Sequence, residues 1–108
     1  MATTKKEAFG RDEQELAALA KALAHPARIA ILKELARRQT CICGEIVEVL
    51  PLAQSTVSQH LKELQQAGLI QGTVDGAKSC YCINRQTFQK FEQILKSFFL
   101  HTAGSPCC

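Results

Sequence analysis

The chain has 108 residues, 46% of them hydrophobic, and a net charge of +3, which suits one domain with a modest core and leaves too little chain for two. No apolar run approaches the length that spans a bilayer, and the N-terminus lacks the apolar segment of a signal peptide. We therefore expect a cytoplasmic protein with no membrane partner. The small positive charge permits nucleic-acid binding but does not require it.

The N-terminal part of the chain predicts an arm and two helices. Residues 1–11 are expected to form a flexible, solvated arm, and leucines and alanines at helical spacing predict a helix over residues 12–24. Because proline is favoured at the first position of a helix, Pro26 is expected to start a second one, with His25 as a helix-boundary residue rather than a ligand. The expected buried stripe of the second helix is Ile29, Leu32, Leu35 and Ala36.

Residues 44–67 predict a helix-turn-helix, which is two short helices joined by a tight turn. Pro51 ends the first of these helices because proline cannot continue a helical ladder. The second is expected to have Gln54 or Ser55 near its N-terminal cap, and to end before Gly68, which tolerates the left-handed conformation.

The second helix of this motif has one apolar and one polar side. Val57, Leu61 and Leu64 recur at helical spacing and are expected to be buried. The other side carries mostly short amides and hydroxyls, which can bond to base edges and phosphate oxygens of DNA. For His60, a capping or packing contact remains an alternative to a DNA contact. The predicted DNA-contacting residues of this helix are Gln54, Ser55, Thr56, Ser58, Gln59, His60 and Lys62.

Residues 69–84 predict a β-hairpin directly after the helix-turn-helix, the position of a wing. Asp75 and Gly76 form a strong two-residue turn signal between two runs that read as strands. Lys78 lies near the expected tip of the hairpin, where it is predicted to contact a flanking phosphate.

Residues 86–101 predict a final helix with a broad apolar face, followed by a cysteine-containing tail at 102–108. Four of the five phenylalanines lie on this helix, more than a small winged domain can bury alone. We therefore expect it to form a homodimer surface together with the alanine-rich helix at 12–24. The expected fold is mostly α with a small β-hairpin wing, a winged helix-turn-helix in one domain over residues 1–108.

Three segments, LAHPARIAILKEL, CICGEIVEVLPLAQSTVSQHLKELQQAGLI and GTVDGAKSCYCIN, resemble the ArsR/SmtB family of bacterial metal-sensing transcriptional repressors. The resemblance covers roughly residues 12–100, and its most specific part is the run Ser-x-His-Leu-x-x-Leu-x-x-Ala-Gly-Leu in a helix-turn-helix and wing context. It implies a homodimeric repressor that binds double-stranded operator DNA and releases it when an inducer binds. No cofactor is required for that activity. The resemblance also implies that the protein is not an enzyme.

The cysteines are candidates for the inducer site. All six occur in close pairs, and without a signal peptide a secreted disulfide framework is weakly supported. The first pair resembles the Cys-Val-Cys motif with which family members bind arsenite, antimonite, cadmium or lead, although Ile46 stands where arsenite sensors have a third cysteine. The Asp-x-His and His-x-x-Glu pairs of the zinc-type site are absent. The pairs are Cys41 with Cys43, Cys80 with Cys82, and Cys107 with Cys108.

Winged helices commonly pair the strand before the helix-turn-helix with the second wing strand, so residues 41–43 are expected to lie beside residues 80–82. If Ile42 and Tyr81 point inward, the four neighbouring thiols share the outer face. Such a set could bind a soft ion of the As(III)/Sb(III) or Cd(II)/Pb(II)/Zn(II) class. The predicted ligands are Cys41, Cys43, Cys80 and Cys82, with Cys107 and Cys108 as secondary ligands.

The same thiols allow other interpretations. A cross-strand disulfide would make the protein a repressor that senses redox state or reactive sulfur. Buried free thiols acting as small hydrophobes are a further alternative. A Cys-x-Cys redox enzyme is poorly supported, because no βαβ pattern surrounds either pair and no Cys-x-x-Cys occurs.

Overall fold

The computed structural model describes residues 8–38, 42–43, 50–75 and 78–104. The described chain is mostly helical, with a three-stranded antiparallel sheet in the order β1-β3-β2. A short strand before the predicted helix-turn-helix therefore joins the hairpin that the sequence predicts as a wing. The elements are α1 (Arg11–Ala22), α2 (Pro26–Arg38), β1 (Ile42–Cys43), α3 (Gln54–Gln66), β2 (Ile70–Asp75), β3 (Lys78–Ile83) and α4 (Arg85–Thr102).

The outer helices differ from their predicted limits by one to two residues. α1 begins at Arg11, within the predicted arm, because the Glu13 carboxylate accepts a hydrogen bond from the Gly10 N–H at 2.9 Å and so caps the first turn. α4 begins at Arg85 because the Asn84 side chain accepts from the Thr87 N–H and acts as the cap. Parts of three predicted segments lie outside the described residues. These are residues 1–7 of the arm, residues 44–49 of the first helix of the helix-turn-helix, and residues 105–108 of the tail.

α2 begins at Pro26 as predicted, and Leu32 and Leu35 of its predicted stripe are buried, but Ile29 and Ala36 are not. Ile31 is fully buried, together with Leu32 and Leu35, whereas Ile29 is 40% exposed and Ala36 is also exposed. The helix packs against α3 and β3, and that packing selects the face around Ile31 and Leu35, which lie one turn apart.

α3 is held to the core by the three residues predicted for that role. Val57 and Leu64 are fully buried and Leu61 nearly so. Gly68 follows the helix with φ of 82°, as predicted for its end. The N-terminal cap is Ala53, the residue before the predicted Gln54, and it makes no side-chain cap because alanine has no hydrogen-bonding side chain. Its carbonyl accepts a hydrogen bond from the Val57 N–H at 3.0 Å.

The core lies between the helices and the inner face of the sheet. It continues from α1 through α2 and α3 to the start of β2, and Phe91 of α4 closes it. Phe88 packs partly against this core, but Phe98 and Phe99 are 47% and 57% exposed. None of the helices in the described part of the chain is long and apolar enough to cross a membrane.

Candidate nucleic-acid interface and thiol pairs

The polar side of α3 is a surface of short hydrogen-bonding side chains. Because the apolar stripe of α3 faces the core, most of the remaining positions of the helix face outward. Amide and hydroxyl groups in this arrangement can donate to and accept from base edges, although DNA contact by these residues stays a prediction. The exposed residues of the predicted set are Gln54, Ser55, Thr56, Ser58, Gln59 and Lys62.

His60 differs from the other predicted DNA-contacting residues because it is half-buried. Its Nδ1 accepts a hydrogen bond from Arg28 Nε at 3.1 Å, and its ring centroid lies 5.6 Å from that of His25. His60 therefore makes a packing contact within the protein, and this contact does not decide between the packing and DNA-contact interpretations. A DNA contact by the same ring stays a prediction.

The protonation of His60 follows from these neighbours. Burial lowers the pKa of His60 below its ordinary value of 6.5, and electrostatic interaction with Arg28 and His25 lowers it further. The ring is therefore neutral at neutral pH. Since Nδ1 accepts the bond from Arg28, the single ring proton resides on Nε2.

Arg28 is a site residue that sequence reasoning missed. It lies in the first turn of α2 and also donates from Nη1 to the carbonyl oxygen of Ala22, the last residue of α1, at 3.1 Å. The signal that could have found this contact is the position of His60, three residues after Val57 and four before Leu64. A polar ring bordering the buried stripe needs a partner inside the protein.

The predicted strand pairing is confirmed: in the β1 and β3 register, Ile42 lies opposite Tyr81 and Cys43 lies opposite Cys80. Tyr81 and Ile83 pack against the core. Because side chains alternate along a strand, Cys80 and Cys82 lie together on the other face of β3, where both are half-buried.

Cys80 and Cys82 are both disulfide-bonded in the structure. Their sulfurs become metal ligands only after reduction, since a thiolate rather than a disulfide binds a soft ion. Within the described ranges, no three His, Cys, Asp or Glu side chains form a group that could hold a metal. The predicted ligands Cys41, Cys107 and Cys108 lie outside the described residues.

The predicted wing contact involves Lys78. Its backbone opens β3 opposite Asp75, the last residue of β2. The hairpin lies where the sequence predicts it, but Asp75 belongs to the strand rather than to the turn, and the connecting residues 76–77 lie outside the described residues. The contact of Lys78 with phosphate stays a prediction.

Comparison with known proteins places this fold in a family. A helix-turn-helix domain model matches residues 23–73. The arsenical resistance operon repressor of Bacillus subtilis is 39% identical over 110 aligned residues, which cover 100% of each chain. SmtB from Mycobacterium tuberculosis is 44% identical over 63 residues, and this match spans 58% of the present chain but only 46% of that repressor. The chain belongs to the ArsR/SmtB family.

A solved structure agrees with that assignment. The ArsR-like transcriptional regulator from Rhodococcus sp. RHA1 superposes with a TM-score of 0.72 at 25% identity, over 84% of this chain and 85% of the other. The resemblance stated from the sequence is thus confirmed, as is the winged helix-turn-helix fold. ArsR/SmtB proteins are DNA-binding transcriptional repressors and not enzymes, so a Cys-x-Cys enzyme is not supported.

Proposed function

We propose that this ArsR/SmtB chain is a homodimeric transcriptional repressor whose release from operator DNA is controlled by thiols on β1 and β3. The observation that carries the thiol control is the register of the sheet. Cys43 lies opposite Cys80, and Cys82 shares the face of Cys80. No other described element brings cysteines from separate parts of the sequence together.

The DNA-reading element of this proposal is α3. Its exposed amides and hydroxyls enter the major groove, while Lys78 of the wing contacts a flanking phosphate. A helix held rigidly by a buried stripe presents such side chains in a fixed register, which direct readout of base edges requires.

The dimer surface of this proposal combines α1 and α4. The two helices pack together, and Lys90 of α4 bonds to Glu15 of α1 at 2.7 Å. The exposed rings of Phe98 and Phe99 on α4 have their centroids 5.9 Å apart, and a partner copy would cover them. To bind two half-sites one turn of DNA apart, such a dimer would need its two α3 helices about 34 to 36 Å apart.

The inducer of this proposal is a soft metal or metalloid that binds the reduced thiols. Opposed side chains on paired strands have Cβ atoms about 4.5 to 5.5 Å apart, and bonds of about 2.3 Å from sulfur to a soft ion can bridge such a gap after small adjustments. We expect Cys43, Cys80 and Cys82 to contribute, with Cys41 as the fourth thiol. The similarity to a repressor named for arsenical resistance favours arsenite among the candidates.

Oxidation is a second candidate inducer, and the disulfide bonding of Cys80 and Cys82 favours it. When a peroxide oxidises a pair of thiols, the new S–S bond forms as two protons and two electrons pass to the peroxide, which becomes water. The register makes Cys43 the expected partner of Cys80.

Either chemistry would reach α3 through the sheet. β3 packs on α2. β2, which pairs with β3 in the sheet, packs on α3. A change at the thiols therefore acts on both supports of the reading helix. A coupling free energy of about 1 to 3 kcal/mol would change DNA affinity by roughly 5- to 150-fold.

The experiment is a fluorescence-anisotropy titration of the reduced protein with a DNA fragment from its own promoter. Reduced protein is expected to bind, and its affinity to fall when one member of a panel is added: As(III), Sb(III), Cd(II), Pb(II), Zn(II), peroxide or persulfide. Loss of binding with ions alone identifies the metal candidate, whereas loss with peroxide or persulfide alone identifies the second. A reduced protein that binds no promoter fragment contradicts the proposal.

A further inference from the structure

Arg28 lies where three segments of the chain meet. Its Nη1 donates to the carbonyl of Ala22 at the end of α1, and its Nε donates to His60 Nδ1 on α3, each at 3.1 Å. Its own backbone N–H donates to the His25 carbonyl in the turn between α1 and α2. One residue of α2 thereby contacts the end of α1, the turn and the reading helix.

The guanidinium group suits this role better than other cations. The last carbonyls of a helix lack partners within the helix, so Ala22 needs a donor from elsewhere. The donors of arginine point in fixed directions from one rigid plane. When the hydrogen bond to Ala22 holds Nη1, the direction of the Nε–H is fixed as well. The His60 ring is then oriented so that its Nδ1 accepts from Nε.

This connection matters because α1 and α3 have different main packing partners, although both contribute to the shared core. α1 packs on α4, within the proposed dimer surface, whereas α3 packs on α2 and β2. Arg28 therefore links the element that would set the dimer geometry to the element that would read DNA.

The charged and titratable groups around the His60 ring come from α1, α2, α3 and the turn between α1 and α2. His25 faces His60 from the turn, and Arg28 faces it from α2. Lys21 of α1 and Glu63 of α3 line an adjoining cleft of about 330 Å³ with His25 and Arg28. The hydrogen bond from Arg28 requires Nδ1 of His60 to be unprotonated. The N–H at Nε2 is then the only donor that the ring can offer to DNA.

We propose that Arg28 is a positioning residue for DNA binding, which holds His60 in the Nε2–H tautomer and ties α3 to the end of α1. The proposal rests on the proposed function in one respect, that α3 reads DNA. Arg28 itself does not need to touch DNA for the effect.

The first test is nuclear magnetic resonance of the imidazole nitrogens in the full chain. In the wild type, the 15N shifts of His60 are expected to show a protonated Nε2 and an unprotonated Nδ1. In Arg28→Met, we expect a mixture of tautomers and a higher His60 pKa, since a neighbouring positive charge is lost. Unchanged shifts and an unchanged pKa in Arg28→Met would overturn the link. If Arg28→Met does not fold, Arg28→Lys takes its place; because lysine keeps the charge but lacks the planar fork, its readout is the mixture of tautomers and not the pKa.

The second test is a double-mutant cycle on promoter affinity. Arg28→Met is expected to weaken binding by about tenfold in the wild-type background and by less than about twofold in the His60→Ala background. His60→Asn, whose Oδ1 can accept at the place of Nδ1, is expected to retain sensitivity to Arg28→Met. An equal loss in the His60→Ala background would overturn the proposal, since Arg28 would then act independently of His60.

The two proposals fail differently. Wild-type protein that binds no promoter fragment contradicts the repressor function. Wild-type protein that binds, together with folded Arg28 variants that bind equally well, overturns the positioning role alone. Thermal melting by circular dichroism identifies the variants that are folded.

Discussion

Cys43 lies directly opposite Cys80 on the neighbouring antiparallel strands β1 and β3. The next pair in the register joins Ile42 to Tyr81, and Tyr81 packs against the core. The two sides of this short ladder therefore have different environments, one apolar and one that carries thiols. β2 belongs to the same sheet and packs on α3. The cysteines of β3 therefore lie one strand away from an element that supports α3.

Replacing Cys80 with serine is expected to abolish inducer-driven DNA release while leaving the affinity of the reduced protein unchanged. Serine keeps the size of the side chain but provides neither a soft ligand nor a disulfide partner. Anisotropy titrations with and without the active inducer measure the effect. Cys107→Ser, in the tail, is the matched control and should keep most of the response. A full response from Cys80→Ser would rule out the shared-face site.

Replacing Leu64 with alanine is expected to destabilise the protein by about 2 to 5 kcal/mol, because Leu64 is fully buried and its loss leaves a cavity. Urea unfolding at one protein concentration measures the change. Gln66→Ala, at an exposed position two residues later in α3, should change the free energy of unfolding by less than about 0.5 kcal/mol. Equal effects of the two substitutions would contradict the packing of α3.

Replacing Gly68 with alanine is expected to cost about 1 to 2 kcal/mol, since φ of 82° is unfavourable for a residue with a Cβ atom. The new Cβ would meet no severe clash, its nearest neighbour being Thr87 Oγ1 at 3.6 Å, so the cost is one of backbone conformation. Gly104→Ala is the matched control, because nothing lies within 4 Å of its Cβ position. Thermal denaturation of the two variants compares them, and a stable Gly68→Ala would argue against the left-handed turn.

Replacing Phe99 with aspartate is expected to convert the proposed dimer to a monomer, because Phe99 is 57% exposed and a charge there would lie in the surface that a partner copy is proposed to cover. Sedimentation velocity over a range of concentrations measures the association. Gln89→Asp adds a charge at another exposed position of α4 and should leave the dimer intact. A Phe99→Asp protein that dimerises like the wild type would place the interface elsewhere.

Glu34 is expected to contribute stability that is lost in acid. Hydrogen bonds from Arg37 and Arg38 lower the pKa of Glu34 from 4.5 to about 2, and Arg38 Nε lies 2.8 Å from the carboxylate. Because the folded pKa is the lower one, the contribution is present above pH 4.5 and disappears as the pH falls toward 2.

The melting temperature of Glu34→Gln is therefore expected to lie below that of the wild type at neutral pH, and the difference to vanish near pH 2. Glu92→Gln is the control, since Glu92 is exposed and lies 3.8 Å from Lys96. A difference that stays constant with pH would contradict the proposed ion pairs.

Local patterns in the sequence determined most of the architecture. The spacing of Val57, Leu61 and Leu64 defines the buried side of α3 because a helix repeats every 3.6 residues, whatever it packs against. Gly68 and Pro26 mark a helix end and a helix start through their own backbone preferences. The pairing of β1 with β3 was also predictable, but only from the way winged helices are built.

Tertiary packing decided the rest. Several apolar residues of α2 compete for the core, and only its contacts with α3 and β3 show that Ile31 is buried and Ile29 is not. The partnership of Arg28 with His60 joins positions 32 residues apart, and no local periodicity reports a contact at that separation. Helical and strand repeats are properties of neighbouring residues, whereas the register of thiols and the partner of a half-buried histidine depend on how the elements are brought together.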